Sequence, residues 1–331
     1  MTHPKPTDAE MTEAIVKWQK VMVDLPKDTQ IGTPGTQCEI KNIFIRDVAD
    51  GALFKAMART AKGGAEEAIF TVVGVITDKS LPPVSWDNAK HAASGTLTQS
   101  VTIAGYDTDA FTKAIGLARK VQELFHDKVD DAPIVSFTGL ANSEEYGLTL
   151  TADTRYFTRS TKNIPEDARV RPEHHVDPRG ILAERESDKL AICADNIVAY
   201  LQLNDQEVVL RDPTAFKFKD VVEVGFTLHT YRTFSPDLGP RYKCKVVLRS
   251  LIHLDAMFSK RIAAAKRLEL KRRIDEETNK SAEDKRWKRM RKNANPIAMR
   301  FAGKGKAKAI EFDSETDEEQ SVTRMEELRV Q

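Results

Sequence analysis

Long apolar runs are missing from this sequence of 331 residues: no stretch approaches the 18 consecutive apolar residues that a membrane-spanning helix needs. The N-terminal stretch MTHPKPTDAE also lacks the charged and apolar regions of a secretory signal peptide. The sequence therefore predicts a soluble intracellular protein that has no membrane partner.

Cysteine is scarce as well. Cys38, Cys193 and Cys244 are widely separated and form no C-x-x-C pair, which argues against a disulfide framework and against a cysteine zinc site. The run EHHVD at 173–177 contains metal-ligand residue types, but no further ligand recurs at metal-binding spacing. The motifs of phosphate-binding loops, dinucleotide folds, serine hydrolases and zinc proteases are also absent. We therefore expect no enzyme, no cofactor and no metal.

The net charge of +1 conceals a strong segregation of charge along the chain. Residues 1–259 carry 31 Lys and Arg against 36 Asp and Glu, residues 260–308 carry 18 against 6, and residues 309–331 carry 2 against 8. Clustered cations attract a polyanion even when the average charge is near zero. The segment 260–308 is thus predicted to bind a polyanion.

An amphipathic helix is predicted from Thr7 to Asp24. Thr7 and Glu10 fit a capping box, and an apolar stripe that includes Trp18 repeats at helical spacing. Such a stripe is typical of a helix packed on its own domain, and the alternatives are a partner helix or a dimer seam. A strand over 38–45 and a short helix over 50–62 complete the N-terminal part.

From residue 68 the hydrophobic period changes from 3.6 to 2. The predicted elements are a strand at 69–77, a strand at 96–106, a helix at about 109–126 and a strand pair at 133–157. This is the element order of an OB-fold, a five-stranded Greek-key barrel. The later β-prone runs form either a second OB-like barrel or a piece that completes the first.

The predicted fold class is α+β, mainly β, with one or two OB-like barrels. Its segments are an N-terminal helical extension at 1–65, an OB-like barrel at 66–160, a linker at 161–178, a second small β domain at 179–256, a basic helical extension at 257–295 and a disordered charged tail at 296–331.

The runs FTVVGVITDKSLPPVSWDN at 70–88 and GLANSEEYGLTLTADTRYF at 139–157 resemble the single-stranded-DNA-binding OB domains of the replication protein A large subunit. The resemblance covers about residues 66–160. It implies that Trp86 and Tyr146 stack on bases and that Lys79 and Lys90 lie where phosphates pass. The whole chain also resembles uncharacterised proteins of mushroom-forming fungi, which implies no known activity.

Aromatic rings on a groove rim bind single strands at about 1–3 kcal/mol per base, with little sequence preference. For each ring, core packing is the alternative interpretation. The predicted nucleic-acid-binding residues are Lys79, Trp86, Lys90, Tyr106, Tyr146, Arg155, Tyr231, Arg232, Tyr242 and Lys243. A wider set in the second domain adds Phe234, Arg241, Lys245 and Arg249.

The predicted first barrel and the hairpin region of the second domain differ in charge. Residues 64–160 carry 8 Lys and Arg against 13 Asp and Glu, whereas residues 207–249 carry 8 against 5. A groove that follows phosphates is expected to be positive. The hairpin of the second domain is therefore the more basic surface.

Two basic clusters separated by 11 residues resemble a bipartite nuclear-import signal. Their cations are Lys271, Arg272, Arg273, Lys285, Arg286, Lys288, Arg289, Arg291 and Lys292. A solvated charged helix is the alternative. Ser314 and Thr316 have the acidic surroundings that acid-directed kinases favour, although a solvating tail has the same composition.

Together these patterns predict a nuclear, nonenzymatic protein that binds single-stranded DNA or RNA by aromatic stacking and a basic tail. The alternative is a protein-interaction scaffold, in which the acidic barrel and the N-terminal helix bind protein partners.

Overall fold

The fold was determined from a computed structural model. It describes residues 6–24, 40–49, 51–60, 63–86, 96–129, 134–204, 207–235 and 239–298. The contacts divide the chain into two compact units, Met1–Leu268 and Glu269–Gln331. Within the described ranges, no helix is both long and apolar enough to cross a membrane.

Three α-helices are described: α1 at Asp8–Asp24, α2 at Asp109–Lys128 and α3 at Met257–Ala298. The predicted capping box of α1 is confirmed, since the Thr7 amide donates to Glu10 Oε2 at 2.8 Å and the Glu10 amide donates to Thr7 Oγ1 at 3.3 Å. The predicted helix at 109–126 is confirmed as α2.

The strands make the protein mostly sheet and its class a mixed α+β fold. In chain order they are β1 Ile43–Asp47, β2 Leu53–Arg59, β3 Ala65–Glu67, β4 Phe70–Ser80, β5 Thr98–Ala104, β6 Ile134–Thr138, β7 Leu140–Ser143, β8 Gly147–Arg155, β9 Thr158–Arg159, β10 Leu190–Ala191, β11 Ala199–Asn204, β12 Glu207–Leu210, β13 Val221–Ser235 and β14 Gly239–Asp255.

Twelve of these strands form one sheet, with the hydrogen-bonded order β12-β11-β14-β13-β4-β5-β8-β7. Off this path, β2 pairs with β1, β3 and β13, and β6 pairs with β14, while β9 and β10 form a separate pair. In the described part of the chain, the end strands β12 and β7 do not pair with each other. The order is therefore not that of a barrel closed through its end strands.

The segments 66–160 and 179–256 share this sheet. β4 of the first pairs antiparallel with β13 of the second, with Phe70 opposite Phe226 and Val75 opposite Val221. The two segments thus contribute strands to one sheet. Local periodicity does not reveal such long-range strand pairing.

Each face of the sheet has its own apolar cluster. The larger one packs Phe111, Ile115 and Phe125 of α2 against the inner side chains of β4, β5, β13 and β14. The second packs Met11 and Ile15 of α1 against the opposite face. The apolar stripe of α1 therefore packs on its own domain.

The predicted linker at 161–178 is partly packed. Ile164 is only 8% exposed, and Val176 packs against a third apolar cluster that contains Phe157 and Leu182. One 3-10 turn lies within this segment, at Glu166–Ala168, and another follows it at Ala183–Arg185.

The short helix predicted over 50–62 is wrong. That stretch contains β2, in which Phe54, Ala56 and Ala58 alternate toward the core. Its pairing with β13, where Lys55 faces His229, overrides the helix-compatible local sequence. The strand predicted over 38–45 begins later, as β1.

Glu223 of β13 is 7% exposed between its register partners Val73 and Ile252, which belong to the second cluster. Burial raises the pKa of this carboxyl from 4.5 to about 7. Because the folded pKa of an acid is raised, its stability contribution is complete below pH 4.5 and is lost as the pH rises toward 7.

We expect the wild-type free energy of unfolding to fall by about 3 kcal/mol between pH 4.5 and 7 through this group alone. Glu223→Gln should remove that fall, and Glu166→Gln, at a side chain that is 93% exposed, should not. Urea unfolding across this pH range measures it. Equal pH profiles for wild type and Glu223→Gln would contradict the assignment.

Candidate nucleic-acid interface

The outer part of the β13–β14 hairpin, residues 229–235 and 239–245, is called the hairpin end. Here Tyr231 faces Lys243, Arg232 faces Tyr242, and Phe234 faces Pro240. The face that carries the core side chains of β13 nearer the base continues outward with Arg232 and Phe234, because side chains alternate along a strand. On this face, the side chains of the hairpin end thus continue the row of core side chains but lie beyond the core itself.

The turn between β1 and β2 anchors the hairpin end. The Arg232 amide donates to the Ala52 carbonyl at 2.9 Å, and the Tyr242 hydroxyl donates to the Gly51 carbonyl at 2.8 Å. The Tyr242 ring also meets Phe54 edge-on at 5.7 Å and is only 9% exposed. Tyr242 is therefore a packing residue, and its predicted role in base stacking is wrong.

Beyond this anchor the side chains are open to solvent. Phe234 is 76% exposed, Arg232 and Lys243 are exposed, and Tyr231 and Arg241 are half-buried. A ring as exposed as Phe234 contributes little to folding and offers its face to a ligand. The hairpin end therefore presents the Phe234 ring and Arg232 on one face, and Tyr231, Arg241 and Lys243 on the other.

Three cations of the hairpin end, Arg232, Arg241 and Lys243, have no ion-pair partner among the residues that the structure describes. A fourth, Lys245, is paired, since its Nζ lies 2.5 Å from Asp153 Oδ2. Nearer the base, Arg249 is paired with Glu67. Within the described residues, the cations without an ion-pair partner thus lie toward the tip, and Lys245 and Arg249 leave the candidate set.

Glu67 is the centre of the paired cluster at the base. Arg249 donates to both of its oxygens, from Nε at 2.6 Å and from Nη2 at 2.8 Å, and His229 Nε2 lies 2.8 Å from Oε1. Burial opposes ionisation of Glu67, but hydrogen bonds from His229 and Arg249 outweigh it and lower the pKa of the carboxyl to about 2. The cluster joins β3 to β13 and β14 and is structural.

Tyr106 and Tyr146 surround an internal lysine that the sequence analysis missed. Lys219 Nζ donates to the Tyr106 hydroxyl at 2.5 Å and lies 4.1 Å from the centre of the Tyr146 ring. Tyr106 is 8% exposed, and burial, with Glu145 nearby, raises the pKa of Tyr146 to about 12. This arrangement is a cation–π contact within the protein. Tyr106 is therefore a core residue, and one ring face of Tyr146 is occupied.

Lys79 and Trp86 lie at and beyond the end of β4 that is farther from the hairpin end, whereas Arg155 follows Asp153, the ion-pair partner of Lys245, by two residues. Because β4 runs antiparallel to β13, the segment after β4 extends past the beginning of β13, away from the tip. Trp86 is 41% exposed, Arg155 is exposed at the end of β8, and burial lowers the pKa of Lys79. The structure therefore splits the predicted stacking set, and Lys90 lies outside the described residues.

The basic clusters lie on α3. From residue 269 to residue 290 every side chain of this helix is exposed, including Trp287 at 63%. The seven import candidates from Lys271 to Arg289 thus belong to an open basic surface. The side chains of Arg291 and Lys292, as well as Ser314, Thr316 and the predicted tail, lie outside the described residues.

The run at 173–177 supplies its groups to local structure. Asp177 Oδ2 accepts hydrogen bonds from the amides of Leu182 and Ala183 at 3.0 and 3.1 Å, and His175 Nδ1 lies 3.2 Å from Glu173. Within the described ranges, no three His, Cys, Asp or Glu side chains come together as metal ligands would.

Comparison with known proteins adds little to this geometry. No family model matches the chain. No curated protein matches it either, so the resemblances to replication protein A and to fungal proteins stay predictions. Among solved structures, the chain has a likeness to gp2.5, a single-stranded DNA binding protein encoded by bacteriophage T7. The two are 12% identical, the match covers 56% of this chain and 91% of the other, and the TM-score is 0.33. At this TM-score the likeness carries no conclusion.

Proposed function

We propose that this protein binds single-stranded nucleic acid at the hairpin end, and that the basic residues of α3 add affinity. The observation that carries the proposal is the ring of Phe234, 76% exposed, on an anchored hairpin whose neighbouring cations have no ion-pair partner among the described residues. Stacking rings combined with cations that follow a backbone are the features of sequence-tolerant single-strand binding.

Each group has a separate role in this proposal. A base stacks on Phe234, and Tyr231, on the other face of the hairpin, is a second surface for a base. Arg232, Arg241 and Lys243 contact phosphates, which release counterions when they are neutralised. Because base stacking and phosphate contacts do not read base edges, the site is expected to bind many sequences.

Two further parts of the prediction belong to this proposal. The first is an OB-like arrangement of β4 to β8, which is supported by the order of strands with α2 between β5 and β6. The second is nuclear import through the basic clusters of α3, which is supported by the full exposure of their cations up to Met290. A reporter protein fused to residues 260–308 that stayed cytoplasmic would contradict import.

Binding of a fluorescent oligothymidylate across a salt series tests the site. Phe234→Ala should weaken binding about 5- to 150-fold, as the loss of one stacking ring predicts, without changing the slope of log K against log salt. Lys243→Gln should flatten that slope by about 0.7, because one phosphate contact is lost.

Lys120→Gln is the matched control, since Lys120 is an exposed lysine of α2. It should leave both affinity and slope unchanged. The proposed site is wrong if Phe234→Ala and Lys243→Gln bind as the control does.

A further inference from the structure

The edge strand β12 has unsatisfied pairing capacity. It pairs with β11 on one side, with Gln202 opposite Val209, and the Arg211 amide donates to the Tyr200 carbonyl at 2.9 Å. In an antiparallel ladder, hydrogen-bonded pairs alternate. The backbone groups of Val209 and Arg211 therefore point toward β11, and those of Val208 and Leu210 point outward, where no described strand pairs with them.

The side chains of β12 are unusually apolar for an open edge. Val209 is 38% exposed and Leu210 is 67% exposed, whereas Val208 packs against the second apolar cluster. Natural proteins protect open edges with charge, proline or a bulge, because an exposed apolar edge invites another strand. β12 contains no proline and no bulge, and its single charged residue, Glu207, stands at its first position.

The two charged residues at the ends of this edge have opposite signs. A twofold axis between two copies would therefore place each charge opposite its counterpart. Glu207 begins β12 and Arg211 follows it, and neither has an ion-pair partner in the described part of the chain. Among the described residues, the Arg211 guanidinium contacts Gln202 and the ring of Phe216, whose centre lies 5.7 Å away. If two copies pair antiparallel around Val209, Glu207 faces Arg211 of the second copy, and the reverse pair forms as well.

We propose that β12 is a dimer interface, at which it pairs antiparallel with β12 of a second copy of this chain around a twofold axis through Val209. Val208 and Leu210 exchange backbone hydrogen bonds with Leu210 and Val208 of the second copy. The exposed Leu210 then packs beside Val208 of the second copy, and the two sheets become one. A second copy fits better than an unrelated strand because the same five residues supply both halves of the charge pattern.

Cysteine cross-linking of the full chain tests the register. Val209 on the axis forms a non-hydrogen-bonded pair with its symmetry mate, with Cα atoms about 4.5 Å apart, which is within disulfide range. We expect Val209→Cys to form a disulfide-linked dimer under mild oxidation. Glu207→Cys is the matched control, since its two copies are about 13 Å apart and cannot be bridged.

Sedimentation equilibrium supplies the second measurement. The wild-type chain should have twice the 37.1 kDa mass of one copy, and Leu210→Lys should raise the dimer dissociation constant at least tenfold without changing the circular dichroism spectrum. A wild-type mass of one chain at micromolar concentration overturns the proposal. So does a dimer that Val209→Cys fails to cross-link, or one that both cysteine variants cross-link equally.

Discussion

Removal of residues 269–331 should flatten the salt dependence of nucleic-acid binding from a slope of about −6 to about −2. Each phosphate contact contributes about 0.7 to the slope, and the contacts come from the six cations at 285–292 and from the three hairpin-end cations that have no ion-pair partner among the described residues. The shortened chain ends at Leu268, so the unit Met1–Leu268 with its apolar clusters stays intact. Fluorescence anisotropy with an oligothymidylate between 50 and 300 mM salt measures both slopes.

A variant that ends after Ala298 is the control for this truncation. It keeps both basic clusters and loses residues 299–331, which carry 6 Lys and Arg against 8 Asp and Glu. Its slope should be at least as steep as that of the full chain. If the chain that ends at Leu268 kept the full slope, the cations of α3 after residue 268 would contact no phosphates.

Arg249→Met should lower the free energy of unfolding by about 3–5 kcal/mol, because it leaves the Glu67 carboxylate partly buried without its main partner. The Arg249 side chain is 10% exposed and that of Glu67 is 22% exposed, so water cannot replace the lost contacts fully. Arg273→Met is the matched control, since the Arg273–Glu269 pair is exposed at 70% and 62%. Its effect should stay below about 0.5 kcal/mol.

Two further comparisons separate an orphaned charge from lost packing. The double variant Glu67→Gln/Arg249→Met should recover part of the loss, because it removes the carboxylate that Arg249→Met leaves unpaired. In the wild type, the depressed pKa of Glu67 gives stability that is present above pH 4.5 and is lost as the pH falls toward 2. The loss of unfolding free energy between pH 4.5 and pH 2 should be smaller in Arg249→Met than in the wild type. A double variant as unstable as the single one would contradict the account.

Hydrophobic periodicity predicted the helices that bury one apolar face against the sheet. The stripe of α1 and the Phe111 to Phe125 face of α2 both lie where their spacing placed them. The segment at 50–62 could not be predicted, because its strand conformation depends on pairing with β13, about 175 residues later in the chain. Charged partners as distant as Glu67 and Arg249 leave no local pattern either.

The same limit explains the errors in the predicted site. Lys219 contacts the Tyr106 hydroxyl and the Tyr146 ring. No rule of sequence spacing connects this lysine to the two tyrosines. Tyr242 was predictable, because the alternation of Cys244, Val246 and Leu248 extended back by one step places it on the core face. The identical alternation leaves Lys243 outside, where the structure has it.

Photo-cross-linking of an oligonucleotide with 4-thiothymidine to the full chain tests whether bases stack on the hairpin end, because it identifies the residues that the bases contact. The account predicts that peptide mapping finds cross-links at Phe234 or Tyr231, and that Phe234→Ala reduces their yield. Cross-links that fall at Trp86 or Tyr146, with none between residues 229 and 245, would contradict it.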